Sequence, residues 1–490
     1  MWSKRKGLTI TGLFMFAGLF AVACAPAETI EVEVTREVEV EVEVIKEVEV
    51  EVPVGGELVT LVARCRARPP TEDWRCNNLL TGVAEVNAEL EAAGDSRRVV
   101  VRTIQDNTEF GDIMQEFALS FETGEAADIL LTGHEFIGTE ATAGRIISIE
   151  SMIADYPEFD AMIEGLWDAV TFKGERWAIP QDMEARPIYW DKTLLASVPG
   201  WDAARVDGLT DEILAGNFTL GDMLDTAEAA VAAGVVDSGM GYWMRPSNGD
   251  DFTAVYYAFG GTTIDADTGK LVYDTVAGKK FYDFFERGLT GDGAHSFLTG
   301  DWGGSYHPNV SGGNVLFWAG GTWQWAEWAD QWTGPNNLDL GGESYQFENW
   351  GYGLYPAGEA GGSPTTVSHP LAYMISSSTE HPDLALAVIA KATTDEANTR
   401  HALNSTHLGI LTTQASYEPY TASVFLTSVT YMVDFAGFLP NNPNYGTVKQ
   451  TTYDALAAVQ AGEFTAQEAV DFVVETLQNE LGDEIIILGG

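Results

Sequence analysis

The residues best equipped for chemistry are few and scattered. His134 and Glu135 adjoin in the run H-E-F-I-G, but the second histidine that a helical zinc site needs four places on is replaced by Gly138. Asp265 to Lys270 (DADTGK) begins like a calcium loop. Gly269 takes the third ligand position, so a hairpin turn between short strands is expected there instead. No nucleophile elbow, metal signature or catalytic triad motif is present, which argues against a hydrolase and for no cofactor. The cysteines are Cys24, Cys65 and Cys76, too few for a disulfide scaffold. Without paired histidines nearby, Cys65 and Cys76 do not complete a zinc site. In an oxidising exterior they would close a short loop, two free thiols being the alternative. What remains is recognition chemistry. Arg64, Arg66 and Arg68 flank Cys65 in a chain with only 26 basic residues, where an anionic or hydroxyl-rich ligand would be met. Local charge balance is the other reading.

These residues need a frame, and the hydrophobic pattern supplies one. Leu58 to Ala63, Arg98 to Ile104 and Ala127 to Thr132 read as buried strands. Asn77 to Ala92, with Leu79, Leu80, Val83, Val86 and Leu90, and Phe110 to Thr123, with Ile113, Met114, Phe117, Leu119 and Phe121, read as amphipathic helices between them. This alternation predicts an α/β fold with a mainly parallel sheet, whose ligands bind beyond the carboxyl ends of the strands. That places residues 64–68, 105–108 and 132–135 on the binding side. After about residue 186, long helices such as Leu220 to Ala233 and Ala277 to Leu289 alternate with aromatic, glycine-rich loops, which predicts a second α/β lobe.

The amino terminus reads as an address. Lys4, Arg5 and Lys6 precede an apolar run from Leu8 to Val22, too short for a comfortable membrane span, which ends in Ala21-Val22-Ala23-Cys24. Small residues before a cysteine resemble a bacterial lipobox, with Ala21 where leucine is usual. Cleavage before Cys24 and acylation of its thiol would anchor the chain to the bilayer. An ordinary secretory cut is the alternative. Glu31 to Val54 alternates Glu and Val; its carboxylates repel along one face, so it reads as an extended stalk ending at Pro53 and Gly55-Gly56. The chain carries 73 acidic residues and a formal net charge of -47, which excludes nucleic acid and anionic lipid headgroups as primary partners.

A set of short blocks carries a resemblance. GRIISIE (Gly144 to Glu150), FKGERWAIP (Phe172 to Pro180) and IYWDKTLL (Ile188 to Leu195) occur in order. Gly260-Gly261, GNVLFWAGGTW (Gly313 to Trp323), YPAG (Tyr355 to Gly358), LGIL (Leu408 to Leu411, without the usual proline) and FLP (Phe438 to Pro440) follow, then a terminal helix from Thr465. Together they resemble the family 1 extracellular solute-binding proteins, the ABC-importer receptors of maltose-binding type, over residues 57–485. The resemblance implies a two-lobed periplasmic-binding-protein fold with a multi-crossing hinge and a ligand cleft between the lobes. Beyond the leader at 1–23 and the lipid-anchored tether at 24–56 read above, it implies one lobe from 57–182 with 368–422, and another from 183–367 with 423–490. Crossings are expected near 182–186, 366–372 and 420–425.

The implied function is capture of a sugar or oligosaccharide outside the membrane and delivery to permease subunits, by a monomeric, non-enzymatic carrier. A peptide, polyamine or glycerol phosphate on the same fold is the nearest alternative, and a secreted polysaccharide hydrolase the one of another class. The residues matching the family's ligand positions are Trp323, as a ring-stacking surface, and Glu184, as an acidic contact at the junction. His134 and Glu135, the loop holding Tyr242, Trp243, Arg245, Asp250 and Asp251, and, more weakly, His369 and Tyr373 are further cleft candidates. Trp325 is expected in the core, and Trp318 fits either place.

Overall fold

The computed structural model describes residues 28–34, 46–53, 55–266, 268–291, 300–331 and 342–489. Cys24 and the leader lie outside the described residues, as does Asp267 of the expected hairpin turn. Around that turn the chain closes as expected, with Ile264 bridging Leu271 and the Asp265 N–H donating to the Lys270 carbonyl at 2.9 Å.

The first sheet has five strands, in the spatial order Arg97–Asp106, Glu57–Arg66, Ile129–Gly133, Leu371–Ile375, Ala178–Pro180. The first three are parallel, as the strand–helix alternation predicts. The strand Leu371–Ile375 then inserts antiparallel to both Ile129–Gly133 and Ala178–Pro180. Local pattern cannot reveal that insertion, because the strand arrives more than two hundred residues after its neighbour. The helices Trp74–Ala92 and Phe110–Thr123 connect the parallel strands. Leu79, Val83 and Val86 are buried, as are Ile113, Met114 and Phe117. Leu119 is 61% exposed, against the expectation that it belongs to the apolar face. Two residues past Phe117 a helix has turned about 200°, to the solvent side.

The second sheet has four strands, Tyr242–Trp243, Phe317–Ala319, Ile188–Asp191 and Trp350–Gly353 in spatial order. Its core is aromatic. Tyr189, Trp318, Trp325, Trp328 and Trp350 are all among the largest fully buried side chains. Trp325 stacks on Phe425 with ring centroids 4.3 Å apart and planes 10° from parallel. The helices Thr275–Thr290, Tyr445–Gln460 and Ala466–Leu481 pack on one another in this half. The last starts where Thr465 and Glu468 form a reciprocal cap, the Thr465 N–H donating to the Glu468 carboxylate at 2.8 Å.

The chain passes between the sheets from Ala178–Pro180 to Ile188–Asp191, and returns from Trp350–Gly353 to Leu371–Ile375. On the return, Thr366–Ser368 pairs in parallel with Ala436–Phe438, a two-stranded link outside both sheets. Cys65 and Cys76 are joined by a disulfide, which ties the end of one strand to the first turn of the following helix. Two stretches of the Glu/Val run, Glu28–Val34 and Lys46–Val52, pair antiparallel, with Val32 opposite Val48. Over these residues the run folds back on itself and is not a single unpaired stalk, because pairing gives the inward-facing backbone N–H and C=O groups partners that a lone strand leaves to water. Among the described residues, no helix is long and apolar enough to cross a membrane.

Truncating Trp325 removes a side chain with 1% exposure from the stacked aromatic core. Trp325→Ala is expected to lower unfolding stability by about 3–5 kcal/mol, measured by chemical denaturation. A loss below 1 kcal/mol would place Trp325 outside the core.

Candidate functional site

A cavity of about 650 Å³ opens between the two sheets. The carboxyl end of the strand Glu57–Arg66 and the loop after it bring Arg66 and Arg68 to its wall, and the ends of the next two parallel strands bring Asn107 and Glu135. Each of the three carboxyl-end loops named from the sequence thus contributes a side chain to the cavity wall. Arg64 stands two residues before Arg66 on the same strand face, but it is taken up by Asp106 and Glu116 and does not line the cavity.

The disulfide sets the next layer. With Cys76 tied to Cys65, its neighbour Arg75 lies behind Arg66, donating to the Arg66 carbonyl at 3.5 Å. The Arg75 guanidinium also pairs with Glu72 at 2.6 Å and Asp182 at 2.7 Å, and its Nη2 sits 2.9 Å from the His407 Nε2. Asp182 is fully buried. Burial opposes its charge, but Arg75 and the nearby histidines His407 and His401 hold its pKa well below the usual carboxylate range. Burial pushes His407 down to about 3, so that its ring stays neutral beside Arg75.

Along the first crossing, Glu184 and Arg186 follow. Arg186 pairs with Glu184 at 2.5 Å, with Asp251 at 3.0 Å and with Asp250 at 3.6 Å. Three carboxylates thus share one buried guanidinium, with Arg245 at 2.8 Å from Asp251 and Lys449 at 2.5 Å from Asp250 completing the balance. Burial raises Glu184 to about 7; Arg186 works against this, while Asp182 and Asp250 add to it. Beside this group His369 donates to Glu135 at 2.7 Å. Burial works against a charge on His369, but the Glu135 carboxylate raises its pKa above the ordinary value.

The aromatic surfaces come from both halves. Trp323 stands between the strand Phe317–Ala319 and the helix Gln324–Gln331. It is half-buried, with the Arg186 guanidinium 4.8 Å from its ring centre and the His407 ring stacked at 5.9 Å. Trp302 lies under Arg245 at 5.1 Å, and Phe110 under Arg66 at 5.3 Å.

Of the residues expected to contact ligand, Trp323, Glu184, Glu135, Arg245 and Asp250 line the cavity, together with His369. His134, Trp243, Asp251 and Tyr373 do not. His134 is fully buried, its ring nitrogens 3.2 and 3.1 Å from the carbonyls of Pro370 and Leu439, and burial lowers it to about 4. Trp243 donates its indole N–H to the Gly239 carbonyl at 2.8 Å, and the Tyr373 hydroxyl donates to the Arg75 carbonyl. Asp251 sits beneath Arg186 and Arg245 and orients both. His134, Asp251 and Tyr373 support the wall from behind, and Trp243 is buried in the core.

Arg75, Asp182, Arg186, His407, Trp302 and Lys449 are absent from the sequence-based candidates. Two carried a local signal: Arg75 adjoins a cysteine, and Arg186 stands two places after Glu184 on an extended segment. His407 and Lys449 carried none, since each reaches the cleft from a distant element.

Residues 98–399 match the family described as bacterial extracellular solute-binding protein. A search of curated proteins returns no match. Several solved structures share the fold. The GacH receptor of Streptomyces glaucescens, solved unliganded and with acarbose, aligns at 14% identity and a TM-score of 0.69, covering 87% of this chain and 99% of that one. Maltose-bound MalE3 of T. maritima aligns at 16% identity and 0.65, covering 86% and 100%. An ABC transporter solute-binding protein of Thermotoga lettingae, bound to α-D-tagatose, aligns at 17% identity and 0.64, covering 86% and 100%. At these identities the structural likeness concerns the fold. The family match spans more than half of the sequence, and the chain belongs to the bacterial extracellular solute-binding proteins.

Proposed function

We propose that this protein captures a sugar or oligosaccharide outside the membrane and hands it to the permease of an ABC importer. The observation that carries the reading is the cavity itself. It sets Trp323, Trp302 and Phe110 among carboxylates, guanidinium groups and the amides of Asn107, Asn248, Gln324 and Gln450. Aromatic faces cover the apolar faces of a sugar ring, and fixed polar groups meet its hydroxyls and penalise ligands that leave them unpaired. Solved relatives bound to acarbose, maltose and tagatose support the same class. The protein acts as a carrier, consistent with a family of binding proteins.

In this reading residues 57–182 with 368–422 form one lobe and 183–367 with 423–490 the other, and ligand binding draws them together. Residues 1–23 are removed on export and Cys24 carries the lipid, which keeps a monomeric receptor at the outer face of the cytoplasmic membrane. The Glu/Val segment lies between anchor and lobes.

A panel of mono- and oligosaccharides is expected to yield at least one ligand that raises the melting temperature, since a ligand at a hundred times its Kd stabilises the folded state by about 2.7 kcal/mol. Shifts with polyamines or peptides and none with any saccharide would overturn the sugar assignment. For the saccharide so found, Trp323→Ala is expected to weaken binding roughly tenfold or more, about 1.4 kcal/mol, with the ligand-free melting temperature little changed. Unaltered affinity would remove Trp323 from the site. Cys24→Ser is expected to move the protein from the membrane to the soluble fraction on cell fractionation, because the acyl chains supply the anchoring energy. Continued membrane association would refute the anchor.

A further inference from the structure

Six of the chain's 26 basic side chains line the cleft, against five of its 73 acidic ones. The surface as a whole is strongly acidic, so this local reversal is a property of the site. Five of the six cations are already matched. Arg68 pairs with Glu72 and Glu327, Arg75 with Glu72 and Asp182, Arg186 with Glu184 and Asp251, Arg245 with Asp251, and Lys449 with Asp250.

Arg66 is the exception. Among the described residues no carboxylate lies within ion-pair distance of it. Its one side-chain hydrogen bond runs from Nη1 to the neutral Asn107 Oδ1 at 3.2 Å, and its buried Nε has no partner. The residue is only 9% exposed, and it lines the cavity. The nearest acids are otherwise engaged or turned to water: Glu72 is held by Arg75 and Arg68, and Glu109 is exposed at the rim. Burial lowers the Arg66 pKa to about 10; the Glu72 carboxylate works against this, while Arg68 and Arg75 add to the fall. A guanidinium drawn out of water without a counter-ion is costly, and its planar fork matches a carboxylate or sulfate in two parallel hydrogen bonds.

We propose that the ligand is an acidic saccharide, and that its anionic group docks on Arg66 while the sugar rings lie against the aromatic surfaces. The proposal rests on the sugar reading above and narrows it to saccharides bearing a carboxylate or a sulfate. Phe110, stacked against Arg66, and Asn107 hold the fork in place from the next loop.

The test is isothermal titration of the full mature protein with trigalacturonate, a sulfated galactose disaccharide and neutral maltotriose. At least one acidic probe is expected to bind tenfold or more tighter than maltotriose, and its affinity to fall as salt rises. Which acidic probe binds decides between carboxylate and sulfate. Arg66→Gln is expected to reduce that affinity at least tenfold and to change the affinity for maltotriose far less, so that the preference for the acidic probe is lost. Arg66→Lys, which keeps the charge and loses the fork, should fall between. The ligand-free Arg66→Gln protein is expected to melt no lower than its parent, because an uncompensated buried charge has been removed. If that variant fails to fold, the salt dependence of the parent protein decides.

Equal or tighter binding of maltotriose, or an acid-to-neutral preference that survives Arg66→Gln, would overturn the proposal and leave the sugar reading intact. Binding of no saccharide of either kind would overturn both.

Discussion

A carboxylate with no access to water fixes the junction of this molecule. Asp182 accepts from Arg75 at 2.8 and 2.7 Å, from His401 at 3.1 Å and from the Leu371 backbone N–H at 3.0 Å. Those donors belong to the helix Trp74–Ala92, the helix Asp395–Ser405 and the strand Leu371–Ile375, while Asp182 itself begins the first crossing. Stripping water from an isolated ion costs several kcal/mol, so the charge is tolerated only while every partner stands in place. One buried acid therefore sets four separate chain segments against one another, and both inter-sheet connections start from a fixed geometry.

The same logic extends outward along the crossing. Arg186 is shared among Glu184, Asp250 and Asp251, which couples the crossing to the helix Asp251–Ala258 in the second half. Each pair satisfies part of the next, so the cleft wall is a continuous charged lattice held by buried contacts, whose geometry is set before any ligand arrives. Such preorganisation suits a binding protein, since polar groups fixed in advance cost less entropy when they meet a ligand. Trp323 takes its orientation from this lattice, with Arg186 and His407 beside its ring.

The supporting layer explains why several residues of promising chemistry lie off the cavity. The His134 backbone N–H donates to the Pro370 carbonyl at 3.1 Å, and its neutral ring, with one N–H to give, lies against the carbonyls of Pro370 and Leu439, which fixes the loop that carries Glu135 to the wall. Tyr373 fixes the carbonyl of Arg75, and Asp251 aims Arg186 and Arg245. Buried polar side chains of this kind must find partners, and in doing so they position the residues that face the cavity.

The sequence alone determined the parallel strands and their helices, because period-2 and period-3.6 burial is written in neighbouring residues. It also marked the carboxyl-end loops, with Arg66, Arg68 and Glu135, since strand direction says which end of a parallel sheet is open. Ordered motifs located the first crossing and Trp323 for the same reason: their spacing is local. Tertiary structure decided the rest. Nothing near position 371 says that its strand enters the sheet antiparallel, and nothing near 407 or 449 says that these side chains reach the cleft. Which cation stays unmatched is likewise invisible in composition. Arg64, Arg66 and Arg68 differ only in position along one strand and its loop, yet Arg64 finds Asp106, Arg68 finds Glu72 and Glu327, and Arg66 finds no acid among the described residues. Ion pairing depends on distances of a few ångströms between segments far apart in the chain, and only folding sets those distances.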